Sequence, residues 1–245
     1  MNKTLITLIA SLMLANTTVY GDIKGLETLK LNDIPLNEIN MDHPFKNPGM
    51  IAFEKKVQLD AEEMKIKKEE ELKKELEKKE LERKNNVKFN SYDVTEISGI
   101  TYDEMREVLS ESHYSNFADI SDAFVEAERK YNINAFFLVA IAGLESGWNT
   151  SERANNGRNN IVGMAVYNNY SRGTVYESKY HCIMDLASQL RTYYLTPGAE
   201  HYNGTSTGQI NKKYSEVKHW YETVDKIGDE LVAIYNDKFR NGNAY

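Results

Sequence analysis

From Ala135 to Leu144 the chain reads Ala-Phe-Phe-Leu-Val-Ala-Ile-Ala-Gly-Leu, with no polar side chain. A membrane span takes about 20 such residues, so this run is too short to cross a bilayer. A surface helix shows a wet face and an apolar one, and this run shows only the second. The segment predicts a helix buried on most sides, with the rest of the fold packed around it. A carboxylate closes the run: Glu145, followed by Ser146, Gly147 and Trp148.

The segments around it have helical spacing. Thr101 and Glu104 form a capping-box pattern for a helix to about Ser112. Phe117, Ile120, Phe124, Ala127 and Tyr131 recur at intervals of three and four, one face of a second helix. Ile183, Leu186, Leu190 and Tyr193 mark another, and Trp220, Val224, Ile227, Leu231 and Ile234 a last amphipathic one. Residues 149–160, rich in Asn, Ser, Arg and Gly, read as a loop. Ile161–Tyr167 and Thr174–Tyr180 read as two short strands around the turn at 168–173. Residues 90–245 are therefore expected to form an α+β, mainly α domain with a small β-lobe.

The earlier chain differs in kind. An apolar run from Leu5 to Ala15 follows Asn2 and Lys3, and Val19-Tyr20-Gly21 fits a cleavage site, so 1–21 reads as an export signal, cleaved or kept as an N-terminal anchor. Residues 22–52 hold Pro35, Pro44 and Pro48 and read as an irregular linker. Residues 53–88 are dominated by Glu and Lys. Glu precedes Lys by four at Glu63/Lys67, Glu69/Lys73, Glu70/Lys74, Glu75/Lys79 and Glu80/Lys84. Each such pair supports a helix by roughly 0.2–0.5 kcal/mol. Leu59, Ile66, Leu72, Leu76 and Leu81 are too sparse for a continuous heptad seam. A solvated single-helix stalk is expected, with weak self-association as a coiled coil the alternative.

Charge and cysteine content narrow the chemistry. Residues 90–245 carry 14 Lys and Arg against 21 Asp and Glu, which accounts for the net charge of −7 and argues against nucleic acid as a partner. Cys182 stands alone, so no internal disulfide forms. His43, His113, His181, His201 and His219 show no zinc spacing. Cys182 precedes His201 and His219 but lacks a glycine-rich nucleophile setting, and reads as a small core residue. No cofactor or metal is implied.

Glu145 then carries most of the chemical information. Apolar surroundings raise a carboxyl pKa, and a general acid must hold its proton near neutral pH. Gly147 lets the backbone turn away, opening the helix end to a cleft, and Trp148 offers a face on which a sugar ring could stack. A Glu that caps a loop, or pairs with Arg153 or Arg158, is the plainer reading. The sixteen tyrosines and two tryptophans suit a glycan groove, although ordinary packing accounts for most of them.

Leu144-Glu145-Ser146-Gly147-Trp148-Asn149-Thr150-Ser151 resembles the signature of the peptidoglycan endo-β-N-acetylglucosaminidase family, Leu-Glu-Ser-Gly-Trp-Gly-Thr-Ser. Asn159-Asn160-Ile161-Val162-Gly163-Met164 is similar to that family's Asn-Asn-Leu-Phe-Gly-Ile, and Ala165-Val166-Tyr167-Asn168 to the stretch that follows it. Tyr202-Asn203-Gly204-Thr205 through Ile210 and Tyr214 resembles its later pattern. The order holds over about 100–235. Asn149 and Val162 depart from the family's usual Gly and Phe.

The resemblance implies a lysozyme-like fold, Glu145 as catalytic acid, peptidoglycan glycan strands as partner, and hydrolysis of the β-1,4 bond after N-acetylglucosamine outside the cell. Asn160, Gly163 and Tyr167 join Trp148 as expected substrate-binding residues. The second catalytic group stays open. Paired carboxylates stand about 5–5.5 Å apart in retaining and about 6.5–9.5 Å in inverting glycosidases, and Glu177 is the candidate, unless it is an exposed polar residue. The substrate's own N-acetyl group is another, with Tyr167 or Tyr214 orienting it or stabilising charge. A muramidase or lytic transglycosylase, and a non-catalytic glycan-binding or assembly protein, are the competing readings.

Overall fold

The computed structural model describes residues 48–164 and 173–241. The chain divides into two units, Met1–Lys65 and Ile66–Tyr245. The described residues are mostly helical. Helix α1 spans Pro48–Asn86, α2 Tyr102–Leu109, a 3₁₀ helix Ser112–Ile120, α3 Ser121–Tyr131 and α4 Ala135–Ser146. Helix α5 is Lys179–Gln189 and runs into a π-turn at Leu190–Tyr194. Helices α6, Thr207–Tyr214, and α7, Trp220–Asn236, complete the domain, with a second π-turn at Asp237–Asn241.

Helix α4 is the centre, as its composition requires. Asn134 caps it, accepting from the amides of Phe136 and Phe137, while its own amide group donates to the carbonyls of Lys88 and Glu96. Every residue from Ala135 to Gly143 is buried, and α3, α5 and α7 pack around it. Buried Glu128 on α3 accepts from the amides of Ser98 and Ala135 and from the Ser98 hydroxyl, joining the loop before α2 to the start of α4.

Helix α1 is solvent-exposed over most of its length, with Glu75–Lys79 at 2.7 Å and Glu80–Lys84 at 3.9 Å among its ion pairs. Its last turn is anchored. Arg83 forks onto Glu104 at 2.6 and 2.9 Å and reaches the Gly99 carbonyl at 2.9 Å. The guanidinium of Arg240 donates to the carbonyls of Lys84 and Val87. None of the helices among the described residues is long and apolar enough to cross a membrane.

The pattern of short strands does not hold for the described residues, among which there is no strand. Ile161–Met164 forms turns, and Lys179 and Tyr180 open α5. The reason is hydrogen bonding. The backbone at 174–177 is engaged by asparagine side chains and by the Arg158 carbonyl, and Ser178 then caps α5. The remainder of the expected lobe, 165–172, lies outside the described residues, as do the expected signal and most of the linker.

Candidate active site

Glu145 stands in the last turn of α4, where the helix emerges from the core. The residue keeps an accessible face, while desolvation raises the pKa of its carboxyl above the ordinary carboxylate value. Neither Arg153 nor Arg158 contributes to that shift, so the ion-pair reading of Glu145 finds no support there.

Two segments meet this carboxyl. The first is the loop at 160–164. Gly163 has φ +66°, and a Cβ placed on it would lie 3.7 Å from Glu145 Oε2. Glycine thus supplies a left-handed conformation and close approach at the same point. Asn160 shapes this loop from inside. It is 1% exposed; its amide donates to the carbonyls of Met164 and Thr174, and its oxygen accepts from the Met164 amide. With three hydrogen bonds turned onto backbone, Asn160 positions the loop. Asn159 does related work, donating to the carbonyls of Tyr176 and Glu177.

The second segment is the end of α6. Tyr214 is half-buried. Desolvation raises its hydroxyl pKa most, and the negative charge of Glu145 raises it further, followed by Tyr194 and Cys182. Its ring meets Tyr194 edge-on at 5.5 Å and lies 4.9 Å from Trp220. The hydroxyl therefore stays protonated and able to donate. Behind the site, buried Cys182 has its thiol pushed up to about 11 by burial, against backbone hydrogen bonds from Ile161 and Val162. A thiol so buried packs and does not attack.

Two other expected site residues are placed differently. Trp148 packs inward: its ring stands edge-on to Tyr114 at 4.8 Å and 6.1 Å from Phe117, over Gly143. A Cβ on Gly143 would come within 2.3 Å of that ring. The ring is partly buried, one side packed against the core. Glu177 is exposed, its side chain 87% accessible and 3.7 Å from His181 Nδ1. No second carboxylate enters the causes of the Glu145 shift. Tyr167 lies outside the described residues. Among them, no group of three His, Cys, Asp or Glu is arranged to hold a metal.

Helix α6, which carries Tyr214, escaped the periodicity reading because it is only eight residues long. Its signal was present: Ser206 and Gln209 form a reciprocal capping box.

The domain is mostly helical, and the charge of the desolvated Glu145 carboxyl is felt at the Tyr214 hydroxyl. Residues 121–237 match the model of the glucosaminidase family, mannosyl-glycoprotein endo-β-N-acetylglucosaminidase. Two curated relatives, from two strains of Streptococcus pneumoniae and each named "Putative endo-beta-N-acetylglucosaminidase", are 26% identical over 139 residues, 55% of this chain. The matched chain spans 21% and 20% of their own lengths. Among solved structures, a catalytic mutant of Staphylococcus aureus Autolysin E in complex with the disaccharide NAG-NAM is similar at 18% identity. It has a TM-score of 0.47 over 63% of this chain and 77% of that one. Autolysin E in complex with the muropeptide NAM-L-Ala-D-iGlu is similar at 18% identity, with a TM-score of 0.46 over 64% and 76%.

Proposed function

We propose that this chain is a peptidoglycan hydrolase acting at the cell wall, which cleaves the β-1,4 bond after N-acetylglucosamine with Glu145 as general acid. The observation that carries the reading is the Glu145 carboxyl itself: open to solvent, desolvated enough to raise its pKa, and approached by the Gly163 backbone. Raised pKa and access together are what protonation of a glycosidic oxygen needs.

The second group is the substrate. Among the described residues no carboxylate enters the causes of the Glu145 shift, and Glu177 is solvated beside His181. The 2-acetamido oxygen of the N-acetylglucosamine unit attacks its own anomeric carbon as Glu145 protonates the leaving oxygen. The resulting cyclic intermediate is opened by water, with Glu145, now ionised, taking the water's proton. Glycosidases of this kind are known exceptions to the two-carboxylate rule. Tyr214 donates toward the negative charge that develops on Glu145 as it gives up its proton, and Gly163 keeps the space beside Glu145 open. The charged helix α1 serves as a spacer, and the N-terminal segment directs export.

Digestion of purified peptidoglycan tests this reading. The expected products end in reducing N-acetylglucosamine. Reducing N-acetylmuramic acid ends would assign a muramidase instead, and anhydromuramic ends a lytic transglycosylase. Glycan binding without any cleavage would favour the assembly-protein reading.

A further inference from the structure

Glu145 is followed, after Ser146, by strained backbone. Gly147, Trp148 and Asn149 have φ of +59°, +60° and +67°, three left-handed residues in succession. Gly and Asn tolerate this region, but a bulky aromatic rarely enters it. Such a turn persists only where its surroundings hold it in place.

The restraints fall into two sets. Within α4, the Trp148 amide donates to the Gly143 carbonyl at 2.9 Å and the Asn149 amide to Ser146 Oγ at 2.8 Å. The Ser146 hydroxyl in turn donates to the Ala142 carbonyl at 2.6 Å. The other set leaves the helix. Asn116, on the 3₁₀ helix, donates from Nδ2 to the Trp148 carbonyl at 3.1 Å. Asn149 returns the bond, donating from Nδ2 to the Asn116 carbonyl at 2.7 Å. Asn116 is exposed and Asn149 half-buried. Hydrogen bonds so near water add little to global stability. Their effect is local, on the turn they cross.

We propose that Asn116 and Asn149 form a reciprocal clasp that locks the left-handed turn after α4 and so fixes where the Glu145 carboxylate stands. Both are positioning residues for that acid, and their catalytic consequence rests on the function proposed above. If the turn relaxed toward right-handed values, α4 would run on through Trp148. The Trp148 ring would leave Gly143, and water would enter beside Glu145. Small displacements of a reacting group are expensive in rate. The clasp also accounts for Asn at 149 where the resembling family usually has Gly. Both accept the conformation, and Asn adds the bond to Asn116.

Variants of the full chain test the clasp. Asn116→Ala removes the donor to Trp148. Asn149→Gly keeps the left-handed conformation and loses only the amide. Two readouts are taken: the titration of Glu145 by carboxyl ¹³C NMR, and kcat and KM on a soluble oligosaccharide of alternating N-acetylglucosamine and N-acetylmuramic acid. Each variant is expected to lower kcat by about tenfold, the effect of one well-placed hydrogen bond. KM should stay within about twofold, because ground-state binding is untouched. The Glu145 midpoint should move down, toward the ordinary carboxylate value, as water enters, while Tyr214, the titratable group facing it, is unchanged. The double variant should lose less than the product of the single losses, since both bonds hold one turn. An unchanged Glu145 midpoint in the double variant would overturn the clasp. The NMR readout needs no turnover. A shifted midpoint in a chain that cleaves no glycan would therefore uphold the clasp and refute the proposed activity.

Discussion

Glu145 and Tyr214 divide the work at the scale of single residues. The raised pKa of Glu145 carries a thermodynamic sign. A carboxyl whose folded pKa lies above its unfolded value binds protons more tightly when folded, so its ionisation opposes folding. That penalty grows as pH rises through the folded pKa and vanishes below the unfolded value of about 4.3. Glu145→Gln should therefore melt higher than the wild type at pH 7, by no more than about 3 °C given its partial exposure. The difference should disappear at pH 4, and thermal scans at the two values check it. Tyr214→Phe keeps the ring packing against Tyr194 and Trp220 but removes the donor. Its kcat should fall by about 10²-fold, as for loss of one donor to developing charge, with an unchanged thermal midpoint. The same rate in Tyr214→Phe would make the tyrosine a packing residue alone.

The elements show how such residues are held. Helix α1 ends in a clamp whose acceptor, Glu104, has a side chain only 8% accessible. Burial by itself would raise the Glu104 pKa, but hydrogen bonds from Arg83 and the Thr101 amide outweigh it and hold the value low. The stabilisation is present above the unfolded pKa and is lost as pH falls through the folded one. Arg83→Ala leaves this carboxylate with the Tyr235 hydroxyl and the Thr101 amide. It should cost about 2–3 kcal/mol at pH 7, since one partner of a largely buried pair is removed, measured by denaturant unfolding. Much of the helical order was legible in the sequence. The apolar run from Ala135 is a fully buried helix, and Thr101 and Glu104 make the reciprocal box their spacing predicts. What escaped was backbone chemistry that periodicity does not encode. The face from Phe117 to Tyr131 is split between a 3₁₀ helix and α3 at Ile120. Trp148 turns inward because three left-handed residues redirect the chain. The buried Asn160 amide holds the loop at 160–164 through the carbonyls of Met164 and Thr174, a role that spacing does not encode.

At the scale of the molecule, the family match covers residues 121–237, and the elements before it complete its support through Glu128, Asn134 and the Arg83 clamp. The acidic balance of the chain suits a neutral or mixed-charge polymer better than a polyanion such as nucleic acid. The proposed mechanism is economical in chemistry: one acid, one tyrosine, and a substrate that brings its own nucleophile. Everything then depends on a single carboxyl. The most direct measurement is the rate at which folded Glu145→Gln releases fragments from purified peptidoglycan, beside the wild type at neutral pH. The amide keeps size and polarity but has no proton to give. The account predicts a loss of at least about 10²-fold, the usual contribution of a general acid, and lysis by Glu145→Gln at the wild-type rate would contradict it.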